Sequence, residues 1–316
     1  ANTYTVKYDG NGATGGSTAS SDHIYGTAKP LTKNGYERKY TVTYNANGGS
    51  VTPTSNIAEY TFKGWGTTAG ATTVTYTDEQ SVSNLTSTNG DTATLYALWN
   101  SASVTTATAT RSGYTFNGWY TASNGGTKVK GANEAYTPTG NITLYAQWTP
   151  NTYTVSFDSN GGTTVSSKTV TYASTYGTLT TPTKTGYTFA GWYLSETNNN
   201  GSGTKVVDTT TVATASNHTL YAAWTINGYT LTRTSESTTK GTVSGSSGSI
   251  NYGTSVTVTA TPTTGHTFAG WYNGSTLVSS SASYTFAMPA NSVTLVAKFT
   301  ANTYTVTYDG NGATGG

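Results

Sequence analysis

Cysteine is absent from this chain, so neither disulfides nor thiolate metal sites staple it, and packing alone must hold it together. Charge is scarce as well, at 9% of residues, with a formal net charge of +2 and no basic run. A nucleic-acid footprint needs clustered Lys and Arg, so that class of partner is excluded. Nowhere do apolar residues accumulate to the length of a spanning helix, so a membrane span within this segment is excluded as well. Titratable groups for catalysis are few: the three histidines, His23, His218 and His266, lie far apart, and the acidic residues are scattered. No Gly-x-Ser-x-Gly elbow, phosphate loop or zinc spacing appears. The expectation is a chain without enzymatic activity, cofactor or metal.

What is present in quantity is Thr, Gly, Ser and Asn, with 25 Tyr and 7 Trp set among them. Thr, Tyr and Trp suit half-buried strands, while Gly and Asn suit turns that need positive φ. The last sixteen residues repeat the first sixteen with one change, Lys7 against Thr307. The chain therefore reads as a period of a longer repeating polymer.

Three landmarks recur in order. An opening strand ends in a glycine turn, as in TYTVKYDGNG from Thr3, YTVTYNANGG from Tyr40 and YTVSFDSNGG from Tyr153; YTLTRT from Tyr229 and YTVTYDGNG from Tyr304 follow. Tyr4, Val6 and Tyr8 share one face and Thr5 and Lys7 the other, the alternation of a strand with one buried side. An aromatic strand follows, ending at Trp65, Trp119, Trp192 and Trp271. Simple alternation puts Tyr114 and Phe116 on the face opposite Trp119, and a bulge at Gly118 is expected to return the tryptophan to the core. A closing strand ends at Trp99, Trp148, Trp224 and Phe299. These eight aromatics are the expected core anchors. The outward tyrosines Tyr96, Tyr145 and Tyr221 are the better candidates for outside contacts. One stretch, TDEQSVSNL from Thr77, carries the capping-box spacing of a single helical turn.

The ordered set of YTVxFDxNGG, GYTFxGWY and TLYAxW resembles the Listeria–Bacteroides repeat family, the internalin B-repeat type of bacterial surface proteins. Residues Tyr153 to Trp224 carry all three motifs, and Tyr229 to Phe299 resembles the divergent branch. The resemblance implies small β-grasp-like modules in tandem on an extracellular, cell-surface protein.

The expected architecture is mainly β: a tandem array forming an elongated rod, with very little helix. Residues 1–39 form an opening half-module, 40–100 a module, 101–149 a module without its own opening strand, 150–225 an intact module and 226–300 a divergent one. Residues 301–316 open the next period. Because 1–39 and 101–148 lack complementary parts, they are expected to combine around an inserted 40–100; the simpler alternative gives the Tyr40 strand to 101–148. The Asp9-Gly-Asn-Gly12 and Asp309-Gly-Asn-Gly312 fragments lack the further oxygens of a calcium loop and read as turns. The sequons at Asn84, Asn141, Asn200, Asn217 and Asn273 fall within what such a composition produces by chance. Uncharged strands such as Thr254 to Thr261 have no edge protection, so neighbouring modules or another chain are expected to cover them. The functional expectation is a stalk, spacer or polymer-forming segment whose partners are neighbouring modules or further copies of the chain. In that case Tyr304, Val306 and Tyr308 line a self-association strand. The alternative is an adhesin that binds glycan or protein through exposed tyrosines and loops.

Overall fold

The computed structural model describes residues 1–196, 203–312, 314 and 315. The chain divides into two compact units, 1–151 and 152–316, and its described residues contain no α-helix. The fold is mainly β.

In the second unit the landmarks run in chain order. The opening strand Thr152–Asp158 lies parallel to the closing strand His218–Ile226, with Val155 opposite His218 and Asp158 opposite Tyr221. Lys168–Thr171 pairs on the outer side of the opening strand, and Tyr187–Tyr193 pairs antiparallel on the other side of the closing strand. A core forms on one face from Val155, Val170, Trp192, Leu220 and Ala222. The same order recurs in 228–301, where Gly228–Ser235 runs parallel to Val293–Ala301 and His266–Asn273 pairs antiparallel to it. This divergent module adds a three-stranded sheet with Ser255–Pro262 in the middle, paired on both sides by Gly241–Gly245 and Ser283–Ala287. The uncharged TSVTVTAT strand is thus no open edge; its module covers it with strands of its own.

Where the two modules of this unit meet, the Asn227 N–H donates to the Gly186 carbonyl and the Tyr252 N–H to the Asn227 carbonyl, both at 2.9 Å. Tyr252 also stands edge-on to Tyr187, with ring centroids 6.1 Å apart.

The first unit is wired differently. The opening strand Thr3–Asp9 lies parallel to Thr92–Trp99, with Thr5 opposite Thr92 and Tyr8 opposite Leu95. Phe62–Gly66, carrying Trp65, completes that sheet, and its core unites Tyr4, Val6, Leu31, Trp65 and Leu95. The next opening strand, Tyr36–Asn45, pairs parallel with Ile142–Pro150, placing Val42 opposite Ile142. A second core, with Val42, Tyr44, Trp119 and Leu144, forms there. Chain segments therefore alternate between cores: 1–36 in the first, 37–60 in the second, 61–100 back in the first, 101–150 back in the second. Among the described residues no ladder joins 3–39 to 101–148, so the composite of those segments does not form. The inserted piece is 37–60 alone, because the buried face of Tyr4, Val6 and Tyr8 is matched by Leu95 and Ala97 in this chain's own nearer closing strand.

The strand Tyr36–Asn45 serves both modules. Its first residues pair with Gly15–Gly16 of the first module, and its remainder pairs with Ser55–Tyr60 and Ile142–Pro150 of the second.

The bulge forms as expected. Phe116 faces Trp148 and Gly118 faces Gln147, leaving one residue extra on the aromatic strand, and Trp119 is fully buried. Gly118 adopts φ 134°, and a Cβ there would stand 2.9 Å from the Lys130 carbonyl oxygen, so glycine is required on both counts. The expected helical turn at Thr77 does not form. Gln80 Oε1 accepts from the Thr77 N–H at 2.8 Å, but Glu79 lies at φ 54°, which closes a local turn and stops any helix.

Candidate functional site

Three modules lock the opening turn onto the closing strand by the same few atoms, and the divergent module does so by others. In the first, the Asn11 N–H donates to Asp9 Oδ1 at 2.7 Å, which holds Asn11 at φ 44°, and Asn11 Nδ2 then donates to the Ala97 carbonyl at 2.9 Å. Asn47 repeats this against Asn45 and the Ala146 carbonyl, and Asn160 against Asp158 and the Ala222 carbonyl. Asn is suited to this role because its side chain tolerates the left-handed region and supplies both bonds. In the divergent module the Glu236 backbone N–H reaches the matching Ala297 carbonyl, and Glu236 Oε1 accepts from the Phe299 N–H, both at 2.9 Å. That bond holds the Glu236 carboxyl below its ordinary pKa. The acidic side chains of these turns are thus spent on backbone N–H groups. Among the described residues no cluster of three His, Asp or Glu side chains is placed to hold a metal.

The closing-strand tryptophans answer from the other side. Trp99, Trp148 and Trp224 donate their indole N–H to the turn carbonyls of Gly10, Ala46 and Ser159, at 3.1, 3.0 and 2.9 Å. Gly49 and Gly162 are needed there, since a Cβ would fall within 2.7 Å of the Trp148 ring and 2.6 Å of the Trp224 ring.

The eight aromatic anchors separate into two groups. Trp65, Trp119, Trp192 and Trp271 are buried, as is Phe299, whereas Trp99, Trp148 and Trp224 are half-buried and present part of a ring to solvent. Beside each half-buried ring stands a cation that the sequence reading did not single out. Arg111 lies over Tyr114 at 3.9 Å from the ring centroid, Lys184 over Tyr187 at 4.5 Å, and Arg38 between Tyr40 and Tyr60 at 5.5 and 5.0 Å. A signal for two of them exists: Arg111 and Lys184 each precede the aromatic-strand tyrosine by three residues.

The histidines do not converge. His23 is buried in the first core and stacks on Tyr4 at 5.4 Å, His218 accepts or donates across 2.7 Å to the Tyr176 hydroxyl, and His266 lies on its aromatic strand. Burial pushes the His23 imidazole below its ordinary pKa and the Tyr176 phenol above its own. Tyr96, Tyr145 and Tyr221 stand half-buried at equivalent places in their closing strands. Tyr304, Val306 and Tyr308 are exposed at 73, 70 and 91%, outside any ladder, although Asn311 already forms its local turn on Asp309.

A turn asparagine, a bulged glycine before a buried tryptophan, and a closing-strand aromatic thus recur with one sheet order. The Listeria-Bacteroides repeat domain model matches residues 87–147 and 153–223, and the divergent InlB B-repeat domain model matches 229–303. The chain belongs to the Listeria-Bacteroides repeat family. The first matched stretch of this family member crosses two cores, because a linear match follows the chain and the folded modules do not. Internalin H of Listeria monocytogenes is 48% identical over 118 residues, which is 37% of this chain and 20% of the relative. A protein of Evansella cellulosilytica, provisionally named a Gly-rich membrane protein, is 31% identical over 290 residues, 80% of this chain and 32% of the relative. A second protein of that organism, provisionally named a membrane protein, is 35% identical over 207 residues, 64% of this chain and 29% of the relative. This repeat chain therefore spans about a third or less of the relatives it matches. Its described residues include no helix long and apolar enough to cross a membrane.

Proposed function

We propose that the segment is a load-bearing spacer of a bacterial surface protein, working outside the cell and without catalysis. One observation carries this reading: in all four modules the opening and closing strands lie side by side and parallel. In the second unit the chain enters each module at the start of its opening strand and leaves at the end of its closing strand. Tension between those ends therefore loads every ladder bond in shear at once instead of peeling them in turn. The family's occurrence in internalin H and in proteins named for a membrane supports a surface location.

Single-molecule pulling tests the idea directly, and the absence of native cysteine makes engineered attachment points unique. Pulling residues 152–226 from their ends should require clearly more force than peeling them through Thr152→Cys and Ser216→Cys. Equal forces in the two directions overturn the reading.

The exposed stripe of Tyr304, Val306 and Tyr308 supports the companion proposal that this strand completes a further module, with the half-module supplied by adjoining chain or by a second copy. The second functional reading is an adhesin module. It is favoured by the recurrence of half-buried Tyr96, Tyr145 and Tyr221 at one closing-strand position, a repeated face open to a partner. Replacing Tyr145 and Tyr221 by Ser should then abolish cell or matrix attachment while leaving the unfolding force unchanged.

A further inference from the structure

The first module holds its opening segment through groups that the chain carries a second time. Tyr4, Val6 and Tyr8 fill the core beside Thr92–Trp99, whose other side is closed by Phe62–Gly66. Around them the Thr3 N–H donates to Asn89 Oδ1 at 2.9 Å, the Tyr8 hydroxyl accepts from the Thr32 N–H at 2.7 Å and the Tyr8 carbonyl accepts from the Tyr36 hydroxyl at 2.7 Å. Past the turn, Gly15–Gly16 pairs with Glu37 and Tyr36. Residues 301–316 repeat every one of these side chains and both glycines. The one change, Thr307 for Lys7, falls on an exposed position opposite Thr94, where threonine suits a strand better than lysine.

The repeated segment leaves its module as an opening strand does. Asn302 donates its N–H to the Gly265 carbonyl at 2.8 Å and accepts from the Thr267 hydroxyl at 2.6 Å, as Asn227 does with Gly186 and Thr188 at 2.9 and 2.7 Å. From Asn227 the chain enters the docked strand Gly228–Ser235, whereas from Asn302 it enters 303–309, which lies outside any ladder. The segment matches the first module alone. Its turn reads DGNGATGG, like that of Asp9, whereas the openings at Tyr40 and Tyr153 run on as NANGGSVT and DSNGGTTV. Gly16 lies at φ 73°, and a Cβ there would collide with the Gly35 carbonyl oxygen. Gly316 meets that demand, and the corresponding Thr52 and Val165 do not.

We infer that residues 301–316 dock in the first module of a second copy of this chain, in the place of its residues 1–16. The inference rests on the reading that the terminal strand completes a further module, and it names that module and the register: Thr305 opposite Thr92, Thr307 opposite Thr94, Asp309 opposite Tyr96. Exchange makes the same bonds that it breaks, so concentration sets the outcome. The resident strand is tethered to its own groove and competes at an effective concentration of about millimolar, so about a tenth of the grooves exchange at about 100 µM chain. Weakening the resident strand raises that share. Each contact leaves a groove at one end and a strand at the other, so copies join head to tail.

The test weakens the resident strand and leaves the incoming one intact. Val6→Asp puts a carboxylate into a fully buried site, and the chain should then sediment as dimers and longer species whose share rises with concentration. Val6→Asp/Val306→Asp should sediment as a monomer. Thr94→Cys/Thr307→Cys introduces the only cysteines, and paired positions on neighbouring strands lie within disulfide reach. Mild oxidation should cross-link separate copies, quickly with Val6→Asp and, without it, to an extent that grows with concentration. An excess of synthetic 301–316 peptide should return the Val6→Asp chain to monomers and restore hydrogen-exchange protection at Leu95 and Ala97. The inference is overturned if Val6→Asp stays monomeric, if the double Asp variant associates as strongly, or if the cysteine pair without Val6→Asp gives no cross-links between copies. Cross-links only within single chains, together with rescue by the peptide, would remove the second copy and leave the completing strand standing. A peptide that restores no protection would remove both.

Discussion

The two units of this chain build the same module by opposite wiring. In residues 152–301 each opening half is followed by its own second half, whereas in 1–150 two opening halves come first and their second halves follow in the same order. Yet both arrangements give a parallel opening–closing ladder, a buried tryptophan after a bulged glycine, and an asparagine or glutamate turn tied to the closing strand. The difference teaches that the fold is specified by the match between half-modules, not by their contiguity. Loop-closure entropy explains why this is tolerated: it grows only with the logarithm of loop length, about 0.6 kcal/mol for each doubling. What interleaving changes is coupling. Unfolding the first core of unit one turns residues 61–100 into a loose loop inside the second module, while unfolding 152–226 leaves the chain of 228–301 intact.

Removing a buried tryptophan from each unit is the strongest way to break this comparison. Trp65→Ala and Trp192→Ala should each cost about 3–5 kcal/mol, the usual cost of emptying a large aromatic site. Hydrogen exchange should then show lost protection in both cores of unit one for Trp65→Ala. For Trp192→Ala the loss should stop at residue 226. If Trp65→Ala leaves Val42, Tyr44 and Leu144 as protected as before, the two cores are not coupled and interleaving is only a matter of connectivity.

The turn asparagines probe what the units share. Replacing Asn11, Asn47 or Asn160 by Ala removes the side-chain hydrogen bond to the closing strand, and at Asn47 a second one to the Ser123 carbonyl, and leaves the left-handed backbone to a residue that tolerates it less well than Asn, about 2 kcal/mol in each case. Chemical denaturation should give similar losses at all three positions. A loss confined to Asn160 would show that the interleaved modules rest on other contacts.

An asymmetry between the units appears with pH. His23 is 1% exposed, with Nε2 on the Ser21 hydroxyl at 3.0 Å and no partner for Nδ1 among the described residues; Tyr4 Oη and Trp65 Nε1 are likewise buried and unpartnered. Burial lowers the His23 pKa, Lys29 lowers it further, and Asp22 opposes both. The unfolded chain therefore takes up a proton more readily than the folded one. The sign follows: the stability is fully present above the unfolded histidine pKa of about 6.5 and falls as pH drops below it, until the folded histidine protonates too. Denaturation midpoints between pH 7 and pH 5 should fall for the 1–151 unit, and H23Q should flatten that slope. A slope unchanged by H23Q would assign the acid sensitivity to other groups.

Much of the module was legible in the sequence, and the wiring was not. Alternation in TYTVKY shows which face of the strand is buried, and the odd spacing from Phe116 to Trp119 demands the bulge that Gly118 makes. Pairing is a different matter, because opening strands with the same alternation, such as Thr3–Asp9 and Tyr36–Asn45, suit any closing strand of the set by face and length. The choice is made by tertiary contacts, such as Tyr36 Oη donating to the Tyr8 carbonyl at 2.7 Å, that no local pattern carries. Arg38 was missed for a related reason. It does not occupy the position three before the tyrosine that Arg111 and Lys184 share, and reaches its place beside Gly12 only because the inserted strand crosses there.

The comparison can finally be sharpened by rewiring. Joining Tyr36 directly to Thr61 restores GYTFKGW, the uninterrupted aromatic-strand motif, and moving 37–60 to precede 101–150 gives the second module its halves in chain order. If half-module complementarity alone specifies the fold, this rearranged chain has the same cores, the same Trp65 and Trp119 burial and the same ladder registers. Its equilibrium stability per module should change by less than about 1 kcal/mol, because the loops shorten by no more than a few-fold. Folding should quicken, since the opening and closing strands of each module meet across a shorter stretch of chain. Unfolding should separate into two transitions where the natural order gives one. A rearranged chain that folds but still unfolds in a single step would place the coupling in non-covalent contacts between the modules, such as the pairing of Gly15 with Glu37, and not in the order of the segments or the continuity of the strand Tyr36–Asn45.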